Sequence, residues 1–228
     1  MTIGDRWSIG RFAGSAASFH GRDIPDPARR AVWWFEVEGP AVALGSTQRM
    51  DVVDAAAAVA GGVEVVRRRS GGGAVWLAPG DVTWVDVILP RGDAHWVDDV
   101  GRAATWLGEA WTDALASLGV VGARCHTGPM VRTAHSDLVC FAGLAPGEVT
   151  VDGAKVVGVS QRRTRAGARF QCAVLHRWDP QPLADVLALT EGERAVLVTD
   201  LAGTAAGIGP IAAEAVVAGL LARLRIQA

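Results

Sequence analysis

The chain has 228 residues, half of them hydrophobic and a fifth charged, enough for a full core in one large domain and too apolar for wholesale disorder. A formal net charge of −2 gives no footing for general nucleic-acid or membrane-surface binding. The three cysteines form no CxxC pair, the N-terminus shows no secretory pattern, and no uncharged run approaches the ~18 residues of a membrane span, so a reducing, cytoplasmic setting is expected.

In chain order, residues 1–30 read as irregular, punctuated by Pro25 and Pro27. Residues 31–38 and 41–45 read as strands joined in a hairpin at Gly39-Pro40. The alanine-rich stretch from Asp51 to Ala60 ends at two glycines and predicts a helix. A strand at 63–68 runs into SGGG, and 74–78 and 82–90 predict a second hairpin, ended by Pro90. From Asp98 to Leu118 apolar residues recur at helical spacing, with Gly119 beyond the end. A short strand at 120–125 leads into a polar loop over 126–137. Asp152-Gly153 then predicts a tight type I′ turn between two strands. A strand at 168–175 follows, and the remainder is helical, ending in an amphipathic segment near 211–224. Mixed order with hairpin-type connections predicts an α+β fold, a mainly antiparallel sheet with flanking helices. The expected division is a catalytic domain over 1–180 with a short helical appendage, 181–228, packed on it.

Two stretches stand out chemically. In the first, Arg67 to Val75, three consecutive glycines let the backbone approach a ligand closely, and adjacent arginines offer bidentate donors for an anion. The spacing is neither GxGxxG nor GxxxxGK[ST], so no Rossmann or P-loop assignment applies; the plain alternative is a flexible turn with solvated arginines. The second stretch, 149–163, contains Lys155, the single lysine of a chain with 22 basic residues in all. Arginine does not replace lysine where a compact ammonium must reach one atom. Strand alternation places Lys155, Val157, Val159 and Gln161 on one face and Val156, Gly158 and Ser160 on the other. Gly158 inside a strand marks a bulge or a close approach.

Together these stretches resemble the lipoate–protein ligase and octanoyltransferase family, which is related to the biotin ligase catalytic domain. Family ligases carry R-x-S-GGGAV, matched by Arg68, Ser70, Gly71, Gly72, Gly73, Ala74 and Val75; the family hairpin G-x-K-[IV]-x-G-x-[AS] is matched by Gly153, Lys155, Val156, Gly158 and Ser160. The resemblance covers residues 30–180 and implies that Lys155 contacts an acyl-adenylate or thioester carbonyl. It implies that the glycine loop holds the acyl chain and the adenylate phosphate. Where ligases continue with His-Asp-x-Gly-Asn, this chain has Leu77 to Asp81, and Asp81 is the one substitute for the missing polar groups.

A second branch, the cysteine-dependent octanoyltransferases, matches elsewhere. Cys140, Phe141, Glu148, Gly153, Lys155 and Gln161 all fall in its register. In that branch the thiol takes the acyl group as a thioester and passes it to a carrier lysine. Buried packing is the alternative for Cys140, and the better reading for Cys125 and Cys172. That branch usually has arginine where this chain has Gly73, so the motifs are mixed.

The resemblance therefore implies an enzyme that attaches lipoate or octanoate to a lysine of a lipoyl carrier domain, in 2-oxoacid dehydrogenase complexes or the glycine cleavage H protein. The leading expectation is an ATP-dependent ligase using Mg²⁺; the alternatives are transfer through Cys140 and a non-catalytic binder of lipoate or nucleotide. Biotin is less favoured, because no GRGR-type loop is present. The expected catalytic residues are Lys155 and Cys140. Substrate or adenylate contacts are expected at Arg68, Ser70, Gly71, Gly72, Gly73, Ala74, Val75, Asp81, Glu148, Gly158 and Ser160. His126 and His135, flanking the polar loop, are candidate bases. The histidines show no metal-ligand spacing, so no metal site is expected. Arg162, Arg163, Arg165 and Arg169 read equally as a docking patch for an acidic carrier or as a solvated loop.

Overall fold

Strand β2 (Ala31–Val37) is apolar on both faces because it separates two cores. Val32 and Trp34 face one of them, and Ala31, Trp33 and Phe35 the other. Strand β6 (Val82–Pro90) does the same with Val85, Val87 and Leu89 against Trp84 and Ile88. These strands sit in a seven-stranded sheet of the computed structural model, which describes residues 7–225. The first six and last three residues included in the sequence reading lie outside the described residues.

The sheet order is β1-β2-β6-β10-β9-β8-β7, with β1 at Ser8–Gly14, β7 at Ala123–Cys125, β8 at Val149–Val151, β9 at Ala154–Arg163 and β10 at Gly167–Leu175. Within this sheet only β1 and β2 pair in parallel; its other pairings are antiparallel. A smaller sheet of order β4-β3-β5 contains β3 (Ala41–Leu44), β4 (Glu64–Arg67) and β5 (Val75–Leu77). The architecture is α+β with a mainly antiparallel main sheet, as the element order led us to expect.

Neither early hairpin forms. β2 and β3 diverge into different sheets after Gly39-Pro40, and so do β5 and β6 after Pro79-Gly80. Residues 8–21 are ordered as β1 and helix α1 (Ala16–Gly21), whose N-cap Ser15 accepts from Ser18 N. Helix α2 (Ala55–Ala60) starts after Asp54, whose carboxylate caps Ala56 N and Ala57 N; Asp51 instead pairs with Arg49 in a 3₁₀ turn. Helix α3 (Thr105–Ser117) begins seven residues later than the apolar spacing suggested, and Val100 is exposed in the preceding turns.

Helix α3 packs Leu107, Trp111, Ala114 and Leu115 on the main sheet beside α6 (Ala213–Arg223). Helices α4 (Gln181–Val186) and α5 (Glu191–Leu201) cover the small sheet, α5 opening on a Thr190/Glu193 capping box. Residues 181–223 thus pack on both sheets, α6 on the main one and α4 and α5 on the small one. Between α5 and α6 the chain returns to β9, where Lys155 N donates to Thr204 O and Ala206 N to Lys155 O, each at 3.0 Å. No helix among the described residues is long and apolar enough to cross a membrane.

Candidate active site

The Asp152-Gly153 turn forms as its sequence requires, both residues having positive φ (50° and 86°), and it delivers β9 into the site. Three residues beyond the turn the register slips: Thr150 pairs with Lys155 and Val149 with Val157, leaving Val156 unpaired in a β-bulge. The slip overturns the simple alternation of faces. Lys155 lies on the side of Gly158, and a Cβ on Gly158 would meet Lys155 Cε at 3.3 Å and the Phe141 ring at 3.0 Å. Gly158 is glycine because these two groups occupy its side-chain space.

Lys155 is buried, and all three of its donors are engaged. Nζ lies 2.7 Å from Glu148 Oε2, 3.0 Å from Cys140 O and 3.2 Å from Gly143 O, and stands 4.8 Å over the Phe141 ring. Glu148 is equally buried; its oxygens also accept from Ala145 N and Val159 N. The ammonium therefore ties down the 3₁₀ turn Cys140–Ala142 from beneath.

The glycine loop meets that turn from the other side. Ala74 N donates to Leu138 O and Cys140 N to Ala74 O. A Cβ at Gly73 would stand 2.6 Å from the Val139 backbone, so no larger residue fits here. The arginine usual at this position in the transferase branch is thus absent for a packing reason. Arg68 corrects the expectation of an anion-binding guanidinium: it is 3% exposed and donates to Ala43 O, Gly71 O and Gly73 O, shaping the loop from inside.

Two adjoining spaces meet at Cys140. A cavity of about 40 Å³ runs between the sheets, walled by Val75, Leu77, Trp84, Phe141, Val159 and Ala173 among others. A cleft of about 210 Å³ is lined by Gly71, Gly72, Gly73, Met130, Glu148 and Lys155 among others. Cys140, Val159 and Ser160 line both. The half-buried thiol lies on the boundary between the apolar slot and the glycine-lined cleft, and a Cβ at Gly72 would be 3.7 Å from its Sγ.

Of the expected site residues, the structure brings together Arg68, Ser70, Gly71, Gly72, Gly73, Ala74, Val75, Cys140, Glu148, Lys155, Gly158 and Ser160. Ser70 Oγ lies 3.0 Å from Ser160 Oγ, and Ala74 N and O bracket the cysteine turn. Asp81 is elsewhere, paired with Arg177 at 2.7 Å. His126 bonds Pro129 O and His135 pairs with Asp200, and neither lines the cavity or the cleft. Arg169 is no docking residue: it is buried against Asp86 and donates to Phe19 O and Arg22 O. Arg162 pairs with Asp23 and Arg163 stacks over Trp96. Cys172 is fully buried, and burial pushes its thiol far up; burial and the nearby Glu109 raise that of Cys125. Among the described residues no group of three or more His, Cys, Asp or Glu side chains is gathered for a metal ion.

The sequence reading missed His20 and Gln171. Both line the cavity, and Gln171 accepts from Ser70 Oγ at 3.2 Å. One signal existed: Gln171 is a lone amide in the apolar run of β10.

Comparison with known proteins fits this geometry. The model of the Lipoyl protein ligase A/B catalytic domain matches residues 21–209. The octanoyltransferase LipM of Kyrpidia tusciae is 30% identical, the match covering 86% of this chain and 74% of LipM. In fold the chain is similar to a structure from an archaeal lipoylation system, a bi-partite lipoate protein ligase and its E2 lipoyl domain from Thermoplasma acidophilum (TM-score 0.70, 16% identity, 97% of this chain and 85% of that one). It is likewise similar to a lipoate-protein ligase A bound with ATP (TM-score 0.68, 17% identity, 97% and 86%).

Proposed function

The chain belongs to the lipoyl protein ligase A/B catalytic-domain family, enzymes of lipoate or octanoate attachment, and from that premise we propose that it transfers an octanoyl or lipoyl group through a thioester on Cys140. The observation that carries this reading is the position of the Cys140 thiol where the apolar cavity opens into the cleft. An acyl chain in the cavity gains about 0.8 kcal/mol for each methylene removed from water, and its carbonyl then lies at the cavity mouth, beside Sγ. The Cys140 thiol loses its proton and attacks the carbonyl of a thioester donor, the donor's C–S bond breaks, its thiolate takes up that proton and leaves, and acyl-Cys140 forms. The amine of a carrier lysine attacks that carbonyl, loses a proton, and releases the Cys140 thiol as the amide forms. Lys155 orients the cysteine turn and places positive charge beneath the developing oxyanion. The acceptor is a lipoyl carrier domain, of a 2-oxoacid dehydrogenase complex or the glycine cleavage H protein.

The second reading is the ATP-dependent ligase, favoured by the Gly71–Gly73 backbone that lines the cleft. Magnesium fits the lining residues poorly. Glu148 is the one carboxylate among them, and both its oxygens are taken by protein donors. Lys155, the one cation there, is saturated as well.

Intact-mass spectrometry after incubation with octanoylated or lipoylated carrier thioester tests the first reading. An acyl adduct on the wild type and none on Cys140→Ser is expected. Pyrophosphate release from ATP with free lipoate or octanoate, undiminished in Cys140→Ser, would replace the transferase with the ligase.

A further inference from the structure

In and behind the wall of the acyl cavity lie polar groups that thioester chemistry at Cys140 does not use. Ser160 Oγ, Ser70 Oγ, the Gln171 amide and the His20 ring form one hydrogen-bonded string, with contacts of 3.0, 3.2 and 3.2 Å. His20 is 6% exposed and lines the cavity but not the cleft.

The string fixes where the His20 proton resides. Ser70 Oγ donates to Gln171 Oε1, which fixes the orientation of the amide. The Gln171 NH₂ group therefore faces His20, and its oxygen faces Ser70. His20 Nδ1 accepts from that amide, and burial together with Arg68 and Arg169 lowers the imidazole to about 3, so the ring is neutral. A neutral ring with an accepting Nδ1 carries its proton on Nε2. Among the described residues Nε2 is buried with no hydrogen-bond partner, and so is Arg68 Nε in the same wall. Trp84 lies against the His20 ring at 4.5 Å between centroids with a 38° tilt.

We propose that His20 is a specificity-determining residue: its Nε2–H donates to an acceptor on the distal part of the acyl chain, so the cavity prefers a chain bearing sulfur or oxygen there over a plain hydrocarbon. The inference rests on the acyl-site reading above. The dithiolane of a lipoyl group supplies such an acceptor without lengthening the eight-carbon chain, whereas an octanoyl chain brings only methylene and methyl groups to a buried N–H.

The test is a tryptophan-fluorescence titration with free lipoate and free octanoate, Trp84 lying against His20. The wild type is expected to bind lipoate about tenfold more tightly, the value of one satisfied buried donor. His20→Phe should lose that preference by gaining affinity for octanoate. Equal affinities in the wild type, or a preference that persists in His20→Phe, overturn the proposal. Should His20→Phe fail to fold, His20→Leu makes the same comparison, and the wild-type result stands without either. The two readings fail separately. Lipoate-selective binding without acyl-Cys140 would sink the transferase and leave the His20 role standing. Acyl-Cys140 formed equally fast from lipoyl and octanoyl thioesters, with equal binding of the free acids, would do the reverse.

Discussion

The ammonium of Lys155 donates to the main-chain carbonyl of Cys140 across 3.0 Å, so the chain's one lysine holds the residue proposed to carry the acyl group. With Glu148 at 2.7 Å and Gly143 O at 3.2 Å, the two motifs of the sequence form one mechanical unit. Lys155 is then a part of the fold as well as a source of charge.

Removing the ammonium leaves Glu148 buried beside a neutral group. Lys155→Met should destabilise the protein by about 3–5 kcal/mol, the cost of stranding one partner of a buried pair. Glu148→Gln in the same chain should restore part of that stability and none of the acyl transfer. Urea midpoints for the four proteins of the cycle measure the stability effects. A Lys155→Met variant as stable as the wild type would contradict this account.

Gly73 and Gly71 should differ sharply although they are two residues apart. An alanine Cβ at 73 would sit 2.6 Å from the Val139 backbone, whereas at 71 nothing lies within 4 Å. Gly73→Ala should displace the cysteine turn, costing about 1–3 kcal/mol as overpacking does, and slow acyl-enzyme formation at least about tenfold. Gly71→Ala should stay within about 0.5 kcal/mol of the wild type. Thermal melts and adduct mass kinetics decide it; similar behaviour of the two variants would count against the close approach.

Burial raises Asp86 from 3.8 to about 6, although the Arg169 guanidinium opposes the shift. The folded state therefore holds this proton more tightly than the unfolded chain. The group's contribution to stability falls as pH rises from about 3.8 to about 6, and is flat above. Arg169→Met removes the opposing charge and drives the carboxyl further up. Its destabilisation, about 3–5 kcal/mol at pH 8, should shrink at pH 5.5, where Asp86 can be neutral. Denaturation at the two pH values measures it, and a pH-independent loss would show that Arg169 acts through packing alone.

What the sequence revealed was local. The Asp152-Gly153 hairpin was legible because a type I′ turn is set by its own two residues. The apparent hairpins at Gly39-Pro40 and Pro79-Gly80 failed because β2 and β6 are apolar on both faces, and such strands do not show which of two sheets they join. The face carrying Lys155 was misread because the bulge at Val156 depends on how β8 pairs with β9. The SGGG loop and the Cys140 register were visible as motifs. Arg68, however, was assigned to an anion when it serves its own loop, since burial does not show in a run of three arginines. His20 and Gln171, 151 positions apart, meet only once the fold is complete.

The clasp of Thr204 and Ala206 on either side of Lys155 bears on the order in which this protein is made. A growing chain emerges from its N-terminus, so the glycine loop, the cysteine turn and β9 are all synthesised before the segment that closes over the lysine. A partial chain can carry every motif residue of the site and still lack the main-chain partners of Lys155. Competence to handle an acyl group should therefore arrive late in synthesis, once residue 206 is free to dock.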